Sequence, residues 1–219
     1  MKIVTRGNPS ELGKDAGRMA ARSIREVIER KGQANIILAT GTSQFETLNQ
    51  LIQEDVDWGK VTMFHLDEYI GLPESSPAAF RKYLKERFIQ KVIPLHAVYL
   101  VNGEVDPVGE CKRLSEIIQR NPIDVALVGI GENGHLGFND PPADFDTEEP
   151  FIVVDLEEQC RYQQFGEGWF KTIEDVPKRA ITMSIRQIMK SAQIICADFM
   201  ICRMDMVMAL LGTSSIVLN

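Results

Sequence analysis

The stretch that decides how this chain folds is residues 123–141, IDVALVGIGENGHLGFNDP. Its first part, Ile123 to Val128, is short, rich in β-branched residues and almost uncharged, which predicts a buried strand. Four glycines, a histidine, two carboxylates and a proline follow directly. Glycines let the backbone turn sharply and let a ligand come close, and open α/β sheets place their chemistry in loops at strand carboxyl ends. We therefore expect a functional loop here, and the plainer interpretation is a glycine-rich turn with a solvated His135.

Strand and helix patterns alternate along the rest of the chain. An apolar stripe at i, i+4, i+7 and i+8 predicts a helix over residues 11–31. Further strands are predicted at 34–39, 61–66, 97–101, 123–128, 152–155, 180–184 and 193–197, and further helices at 45–54, 78–88, 108–120, 185–190 and 204–211. This alternation predicts a three-layer α/β/α fold, with a mostly parallel sheet between helices. Neither a repeat nor a Pro/Gly/Ser-rich linker divides the sequence, so residues 1–219 are predicted to form a single domain.

Composition narrows the classes of partner. The chain has 219 residues, 44% of them hydrophobic, and a net charge of -7, which argues against a nucleic-acid-binding surface. No apolar stretch approaches membrane-spanning length, and the first residues lack the apolar core of a signal peptide. The four cysteines form no CxxC pair and have no histidine at metal-ligand spacing. We therefore expect a cytoplasmic protein with reduced thiols and no metal site.

A second candidate loop is Thr40-Gly41-Thr42-Ser43, between a predicted buried strand and a predicted amphipathic helix. Backbone N–H groups and hydroxyls at a helix start attract an anion such as phosphate. No Gly-Lys-Ser/Thr follows, so this is not a Walker A loop. An alternative explanation is structural, because Ser43 and Glu46 have the spacing of a capping box.

A third candidate site follows the predicted strand at 61–66, where Asp67 and Glu68 are adjacent. Successive side chains of an extended segment point in opposite directions, so at most one carboxylate faces a cleft. A partly desolvated carboxylate beside an apolar wall has a raised pKa, which suits a general base. The alternative is that both acids are solvated. His65 is predicted to be a packing residue.

His135 is the candidate proton relay, because histidine titrates near neutral pH and a carboxylate such as Asp140 could hold its ring and tautomer. A serine hydrolase is disfavoured, because the chain has no Gly-x-Ser-x-Gly elbow. Metal catalysis is disfavoured as well, since no second histidine lies near His135 in the sequence. The three loops all follow predicted strands and are expected to meet at one edge of the sheet.

Residues 38–43, 64–72 and 129–141 together resemble three signature stretches of the glucosamine-6-phosphate deaminase (isomerase) family, in the family's order and at similar spacing. The superfamily also contains the 6-phosphogluconolactonases, but Phe138-Asn139-Asp140-Pro141 is similar to the deaminase branch. The resemblance implies a modified Rossmann-like sheet and an aldose–ketose isomerisation coupled to loss of ammonia from an amino-sugar phosphate. It also implies that no metal or organic cofactor is needed and that the chain forms a homo-oligomer.

Site residues carried over from the resemblance agree with the three loops. Asp67 matches the family's general base, which moves a proton between C2 and C1 of the sugar, and His135 matches the residue that assists ring opening. Residues 40–43 match the phosphate loop. Arg161 takes the place of the family's phosphate-binding arginine, and Arg203 stands where a lysine is usual. For Arg203 the alternative is a solvated cation on a helix.

Three departures from the family pattern bear on activity. Asn133 replaces a usual aspartate, which should weaken the proton relay because an amide carries no charge; this asparagine resembles a galactosamine-6-phosphate branch of the family. Asp140 replaces a glutamate. After Leu211 the sequence is also shorter than is usual for the family. Three hypotheses follow: an active amino-sugar-phosphate deaminase, a lactonase-type hydrolase, and a sugar-phosphate binder without turnover.

Overall fold

A computed structural model of the protein describes residues 2–131, 133–198 and 215–218. The strands are β1 (Lys2–Val4), β2 (Ala34–Leu38), β3 (Val61–His65), β4 (Asp67–Tyr69), β5 (Ala97–Tyr99), β6 (Val125–Val128), β7 (Phe151–Asp155), β8 (Arg179–Met183), β9 (Gln193–Asp198) and β10 (Ser215–Leu218). The helices are α1 (Pro9–Lys31), α2 (Phe45–Leu51), α3 (Phe80–Arg87), α4 (Pro107–Gln119), α5 (Glu158–Gly166) and α6 (Ile185–Met189).

Seven of these strands form one sheet in the order β1-β10-β9-β6-β2-β3-β5, and every neighbouring pair in it is parallel. Its central strands β2, β3 and β6 are buried on both faces, as the near-continuous apolar runs in the sequence predict. In β2, Ile36 and Leu38 pack on one face, while Ile37 packs on the other. The first face is covered by α1, α2 and α3, and the second by α4, α6 and a small second sheet. The predicted α/β architecture with a mostly parallel sheet is confirmed.

The first helix shows how local sequence sets these elements. Asn8 accepts a hydrogen bond from the backbone N–H of Glu11 at 2.9 Å, and Pro9 occupies the first helical turn, where its missing N–H costs nothing. Gly32 ends α1 in the left-handed conformation, with φ of 84°. The apolar stripe between these caps is buried against α2 and the sheet.

The second sheet was not predicted. It is antiparallel, in the order β4-β8-β7, and β4 begins at Asp67, in a segment that the sequence placed in a loop. The prediction failed because β4 has only three residues, two of them acidic, and propensity disfavours such a strand. Helix α5 was also missed, since only Cys160 and Gln164 of its nine residues are buried and the apolar pattern is weak.

Strands β1 and β10 were not predicted either. The other helices and strands agree with the predictions to within a few residues at their ends. The predicted helix at 204–211 lies outside the described residues. Within the part of the chain that the structure describes, no helix is long and apolar enough to cross a membrane.

Candidate active site

The three candidate loops meet in one cavity at the carboxyl ends of β6, β2 and β3, which are adjacent in the sheet. The cavity has a volume of about 990 Å³. It is lined by Ala39, Thr40, Gly41, Thr42, Ser43, Leu66, Asp67, Phe80, Gly129, Ile130, Gly131, Asn133, His135, Gly137, Phe138, Gln159, Tyr162, Gln163, Gln164, Gly166 and Glu167. The predicted convergence of the loops is therefore observed, and it follows from the parallel sheet, which gathers strand ends on one edge.

The loop after β2 brings Thr40, Gly41, Thr42 and Ser43 to the cavity wall. It continues as a short 3-10 turn, Thr42–Gln44, before α2 begins. The capping-box explanation is wrong, because the structure shows no side-chain hydrogen bond capping either element. The hydroxyls and backbone of the loop therefore line the cavity, and its side chains do not cap the helix.

Two side chains outside the predicted site hold this loop in place. Gln44 is buried, and its Nε2 donates to the carbonyl oxygens of Val128 (3.3 Å) and Ala197 (3.1 Å) and to the Ser43 hydroxyl (3.2 Å). Tyr83 on α3 donates its hydroxyl to the carbonyl oxygen of Gly41 at 3.1 Å. The loop is thus tied to strands on one side and to a helix on the other.

Asp67 is 4% exposed and lines the cavity at the first position of β4, where it pairs with Thr182 of β8. Burial raises the pKa of this carboxyl well above its usual value, and the neighbouring Glu68 raises it further. A carboxylate in this state binds a proton more readily than a solvated one, which suits it to exchange a proton with a substrate.

Glu68 points away from the cavity, as strand alternation requires. It accepts hydrogen bonds from the backbone N–H groups of Tyr69, Phe80 and Arg81, at 3.0, 3.2 and 2.8 Å. The Arg81 side chain donates to it as well, at 3.2 Å. Burial raises the pKa of Glu68 although these bonds and the Arg81 charge lower it. The prediction that at most one of the two carboxylates faces the cleft is confirmed.

The loop after β6 is anchored to β8, the strand that pairs with Asp67 of β4. The Thr182 hydroxyl accepts from the backbone N–H of Phe138 at 3.2 Å, and the Asn139 side chain donates to the carbonyl oxygen of Met183 at 2.9 Å. A Cβ added at Gly137, whose φ is 60°, would lie 3.3 Å from the Asp67 Oδ2 and 3.0 Å from the Thr182 hydroxyl. Strand β8 therefore sets the acid and the histidine loop in one fixed relation.

His135 is 8% exposed and is held by the side chain of Asn133. Its ring Nδ1 lies 2.6 Å from the Asn133 Oδ1, which can only accept, so Nδ1 carries a proton and the neutral form of the ring has Nε2 as its acceptor. The Asn133 Nδ2 in turn donates to the Asp140 Oδ1 at 3.3 Å, and this oxygen lies 3.5 Å from Nδ1. The asparagine that departs from the family pattern thus orients the histidine, and Asp140 supplies the nearby charge.

The ring of His135 lies directly against the backbone of Gly131. A Cβ at that position would come within 2.1 Å of the ring, so glycine is required there by close approach. The backbone N–H of Gly131 also donates to the carbonyl oxygen of His135 at 2.9 Å. Glycine at position 131 is therefore explained by the close approach of the His135 ring as well as by the turn of the backbone.

Not every predicted residue reaches the cavity. Arg161 donates its guanidinium hydrogen bonds to the carbonyl oxygens of Ile173 and Val176, and it is not among the lining residues. Arg203 lies outside the described residues. Among the described lining residues none is lysine or arginine, so any phosphate held by this wall would rely on N–H groups, hydroxyls and His135.

His65 is fully buried in β3, and burial together with the Arg81 charge lowers its pKa to about 3. It therefore stays neutral. Its Nδ1 accepts from the backbone N–H of Val101 at 3.4 Å. The prediction that His65 packs in the core is confirmed.

Sequence reasoning missed an entire wall of the cavity. Helix α5 and the residues after it contribute Gln159, Tyr162, Gln163 and Glu167 to the lining. Tyr69 of β4 donates its hydroxyl to the Gln164 side chain at 2.7 Å, which fixes this helix to the acid-bearing strand. The one signal in the sequence was the run of polar amide side chains, which lacks the pattern of an ordinary amphipathic helix.

Comparison with known proteins agrees with this architecture. Residues 7–197 match the family model described as glucosamine-6-phosphate isomerases/6-phosphogluconolactonase. The chain is 36% identical over 196 residues to a glucosamine-6-phosphate deaminase of Bacillus cereus strain B4264, covering 89% of this chain and 71% of the relative. The same values hold for a glucosamine-6-phosphate deaminase of Bacillus anthracis strain A0248.

Solved structures agree as well. A monomeric glucosamine-6-phosphate deaminase superposes with a TM-score of 0.83 at 30% identity, over 100% of this chain and 96% of that one. The 6-phosphogluconolactonase of Trypanosoma brucei has a TM-score of 0.79 at 15% identity, covers 99% of this chain and 94% of its own, and shows the shared fold. This chain belongs to the glucosamine-6-phosphate isomerase/6-phosphogluconolactonase family.

Proposed function

We propose that this protein is an amino-sugar-phosphate deaminase that converts glucosamine-6-phosphate and water to a ketose 6-phosphate and ammonia. The observation that carries the proposal is that Asp67, His135 and the loop at residues 40–43 line one cavity. The 36% identity to enzymes named glucosamine-6-phosphate deaminase supports the deaminase branch over the lactonase branch. The cavity, of about 990 Å³, is large enough to hold a phosphorylated hexose.

Ring opening is assigned to His135. Because Asn133 holds the Nδ1 proton, the Nε2 lone pair is directed to accept the proton of the C1 hydroxyl. The ring oxygen takes that proton as its bond to C1 breaks, which restores the neutral imidazole. Asp140, 3.5 Å from Nδ1, stabilises the transient positive charge on the ring.

Proton transfer between carbons is assigned to Asp67. Its carboxylate removes the proton from C2 of the open-chain aldehyde and returns it to C1, while a second proton passes from the amino nitrogen to the C1 oxygen. These two transfers leave an imine at C2 and a hydroxyl at C1. Water then hydrolyses the imine, so that ammonia leaves and the ketose remains. The raised pKa of Asp67 fits this role, because the same group must take and return one proton in each turnover.

Residues 40–43 are assigned to the phosphate. Gln44 and Tyr83 hold this loop from both sides, so its N–H groups and hydroxyls are preorganised. Arg161 and Arg203 remain proposed phosphate ligands from the family resemblance, although Arg161 would have to leave its carbonyl partners to serve. The phosphate contacts act in the ground state and in the transition state alike, so they govern KM more than kcat.

Ammonia release tests the proposal directly. Purified protein is mixed with glucosamine-6-phosphate, and ammonia and ketose phosphate are measured separately; we expect the two products in equal amounts. Galactosamine-6-phosphate is the matched substrate for the alternative suggested by Asn133, and 6-phosphogluconolactone for the lactonase branch. Hydrolysis of the lactone with no ammonia from either amino sugar would assign the chain to the lactonase branch. Binding of the amino sugars without any product would show a sugar-phosphate binder.

Two further expectations belong to the same proposal. We place the protein in the cytoplasm, supported by the buried thiols of Cys111 and Cys160, which form no disulfide. The self-association implied by the family resemblance stays a prediction, and one solved relative is described as monomeric. Sedimentation of the purified protein measures it.

A further inference from the structure

A cluster of three metal-ligand side chains lies beside the cavity. Nδ1 of His135, a carboxylate oxygen of Asp140 and Sγ of Cys160 all lie within 4.8 Å of one another. Cys160 is 1% exposed, and the side chains of Asp140 and His135 are 5% and 10% exposed. The cluster was invisible to sequence spacing, because Cys160 lies on α5 and the other two residues lie in the loop after β6.

The backbone fixes the three groups relative to one another. The backbone N–H of Glu157, the residue before α5, donates to the second carboxylate oxygen of Asp140 at 3.3 Å. This bond ties the start of the helix that carries Cys160 to the loop that carries His135. The cluster is therefore built by two independent elements that hydrogen-bond to each other at the point where the donor atoms converge.

We propose that His135, Asp140 and Cys160 bind a divalent transition-metal ion of the Zn²⁺ class, and that the bound ion inhibits the enzyme. Bonds of about 2.0 Å to nitrogen and oxygen and about 2.3 Å to sulfur place tetrahedral donors about 3.3–3.6 Å apart. The Nδ1 to Asp140 Oδ1 distance of 3.5 Å lies in this range. One nitrogen, one oxygen and one sulfur donor select Zn²⁺ or Co²⁺ over Mg²⁺ and Ca²⁺, which prefer oxygen alone.

The fourth coordination position and the entry path both lie on the cavity side. His135 and Asn133 line the cavity, so an ion from solvent reaches Nδ1 past the Asn133 side chain. The Asn133 oxygen or a water completes the coordination. Three protein ligands leave one position open, in contrast to a closed structural site with four protein ligands.

Inhibition follows from the proton balance and rests on the proposed function. The metal takes the Nδ1 lone pair, so the ring proton moves to Nε2, and the Cys160 thiol releases its proton to solvent on forming the metal–sulfur bond. With Nε2 protonated, His135 can no longer accept the proton of the C1 hydroxyl. The ion is therefore an inhibitor and takes no part in the reaction.

Without metal, the same atoms form an ordinary hydrogen-bond network. The Asn133 oxygen lies 2.6 Å from Nδ1, and the Cys160 thiol donates to Asp140 while burial raises its pKa. Metal binding replaces both interactions, so occupancy has a cost that limits affinity. If these residues served only as a hydrogen-bond network, they would bind no cobalt, so cobalt binding distinguishes a metal site from a purely structural cluster.

The test uses the purified, metal-free protein titrated with Co²⁺ and then with Zn²⁺. We expect visible d–d absorption and a near-ultraviolet thiolate charge-transfer band at one equivalent of Co²⁺, both abolished by Zn²⁺. Cys160→Ser keeps the hydrogen bond to Asp140 but should lose the charge-transfer band and weaken Zn²⁺ binding at least about tenfold. Cys111→Ser is the matched control, since Cys111 is a buried cysteine on α4 outside the cluster, and it should leave the spectrum unchanged.

Absence of the charge-transfer band in the wild-type protein, or an equal band in Cys160→Ser, would overturn the site. The spectra are read without turnover, so they test the site even if no ammonia is released from any amino sugar. In an active enzyme, Zn²⁺ should inhibit in parallel with binding, and a chelator should restore the rate. Binding at the cluster with full activity would overturn the inhibitory role.

Discussion

Asp67 and Glu68 are adjacent carboxylates in one three-residue strand, both almost fully buried, yet their surroundings differ completely. Glu68 accepts four hydrogen bonds and pairs with the buried Arg81, whereas Asp67 faces the cavity beside Leu66 and Phe138. Burial raises the pKa of both groups, but only in Asp67 is the neighbouring charge of like sign the next cause. The comparison separates a carboxylate that supports the fold from one that is available for chemistry.

The largest effect is expected at the cavity-facing acid. Asp67→Asn keeps the shape of the side chain but removes the base. The value of kcat should therefore fall by about 10³-fold or more, a typical contribution of general base catalysis. Binding of the sugar phosphate should change little, because residues 40–43 hold the phosphate. Steady-state kinetics and calorimetric binding measure the two quantities, and unchanged turnover would remove Asp67 from its assigned role.

The same variant should gain stability. The pKa of Asp67 is raised in the folded state above 3.8, its pKa in the unfolded chain. The protonated acid therefore contributes its full stability below pH 3.8, and this contribution is lost as the pH rises through the raised pKa. At neutral to alkaline pH, the free energy of unfolding of Asp67→Asn should therefore exceed that of the wild type by about 0.5–2 kcal/mol, and the variant should unfold at a higher denaturant concentration. The gain should shrink as pH is lowered, and a variant less stable at high pH would contradict the buried, uncompensated acid.

The next largest effect is expected at Glu68, and on stability. Glu68→Gln leaves the guanidinium of Arg81, which is 4% exposed, without its buried counter-charge and with the half-exposed Glu104 at 3.1 Å as its remaining ion pair. The free energy of unfolding should therefore fall by about 2 kcal/mol. Urea titration measures it. Glu74→Gln is the matched control, because its ion pair with Lys85 is largely exposed and should contribute less than about 1 kcal/mol. Equal losses in the two variants would erase the distinction between Asp67 and Glu68.

A smaller effect is expected from the residue that orients His135. Asn133→Asp places a charge 2.6 Å from Nδ1 and favours the protonated ring, so Nε2 loses its lone pair at a higher pH. The acidic limb of the kcat/KM profile should move upward by about one pH unit. Asn133→Ala is the control, since it removes the orienting oxygen without adding charge and should lower the rate without moving the limb. If the kcat/KM profile of Asn133→Asp does not move, protonation of His135 is not what sets the acidic limb.

The smallest effect is expected at the support of the phosphate loop. Tyr83→Phe removes only the hydrogen bond to the Gly41 carbonyl oxygen, so KM should rise about threefold, the value of one neutral hydrogen bond, while kcat stays constant. Tyr99→Phe is the control, because Tyr99 packs on Phe64 and lies outside the cavity lining. A fall in kcat would mean that the loop also acts in the transition state.

Much of the site could be predicted because it is local in sequence. Glycines, a carboxylate and a histidine directly after buried apolar runs indicate strand-end loops, and a parallel sheet must bring such ends together. Asp67, His135 and residues 40–43 were found in this way. The orientation of Asp67 and Glu68 followed from strand alternation alone.

The remainder depends on contacts between segments that are distant in sequence. Thr182 anchors the loop after β6 from a strand more than forty residues away, and its sequence context carries no sign of that partner. Gln44 looks like an ordinary helix-start residue, but its role is set by the carbonyl oxygens of Val128 and Ala197. The proximity of Cys160 to His135 and Asp140 likewise arises only when α5 folds back against the loop after β6.

Strand order in the large sheet has a consequence for biosynthesis. β1 pairs with β10, and β10 pairs with β9, so, among the described residues, residues 2–4 join the sheet through residues 215–218. A ribosome makes residues 2–4 well before residues 215–218, so β1 lacks its observed partner while the central strands are being made. We expect β1 to dock late in folding, onto a sheet whose centre has already formed.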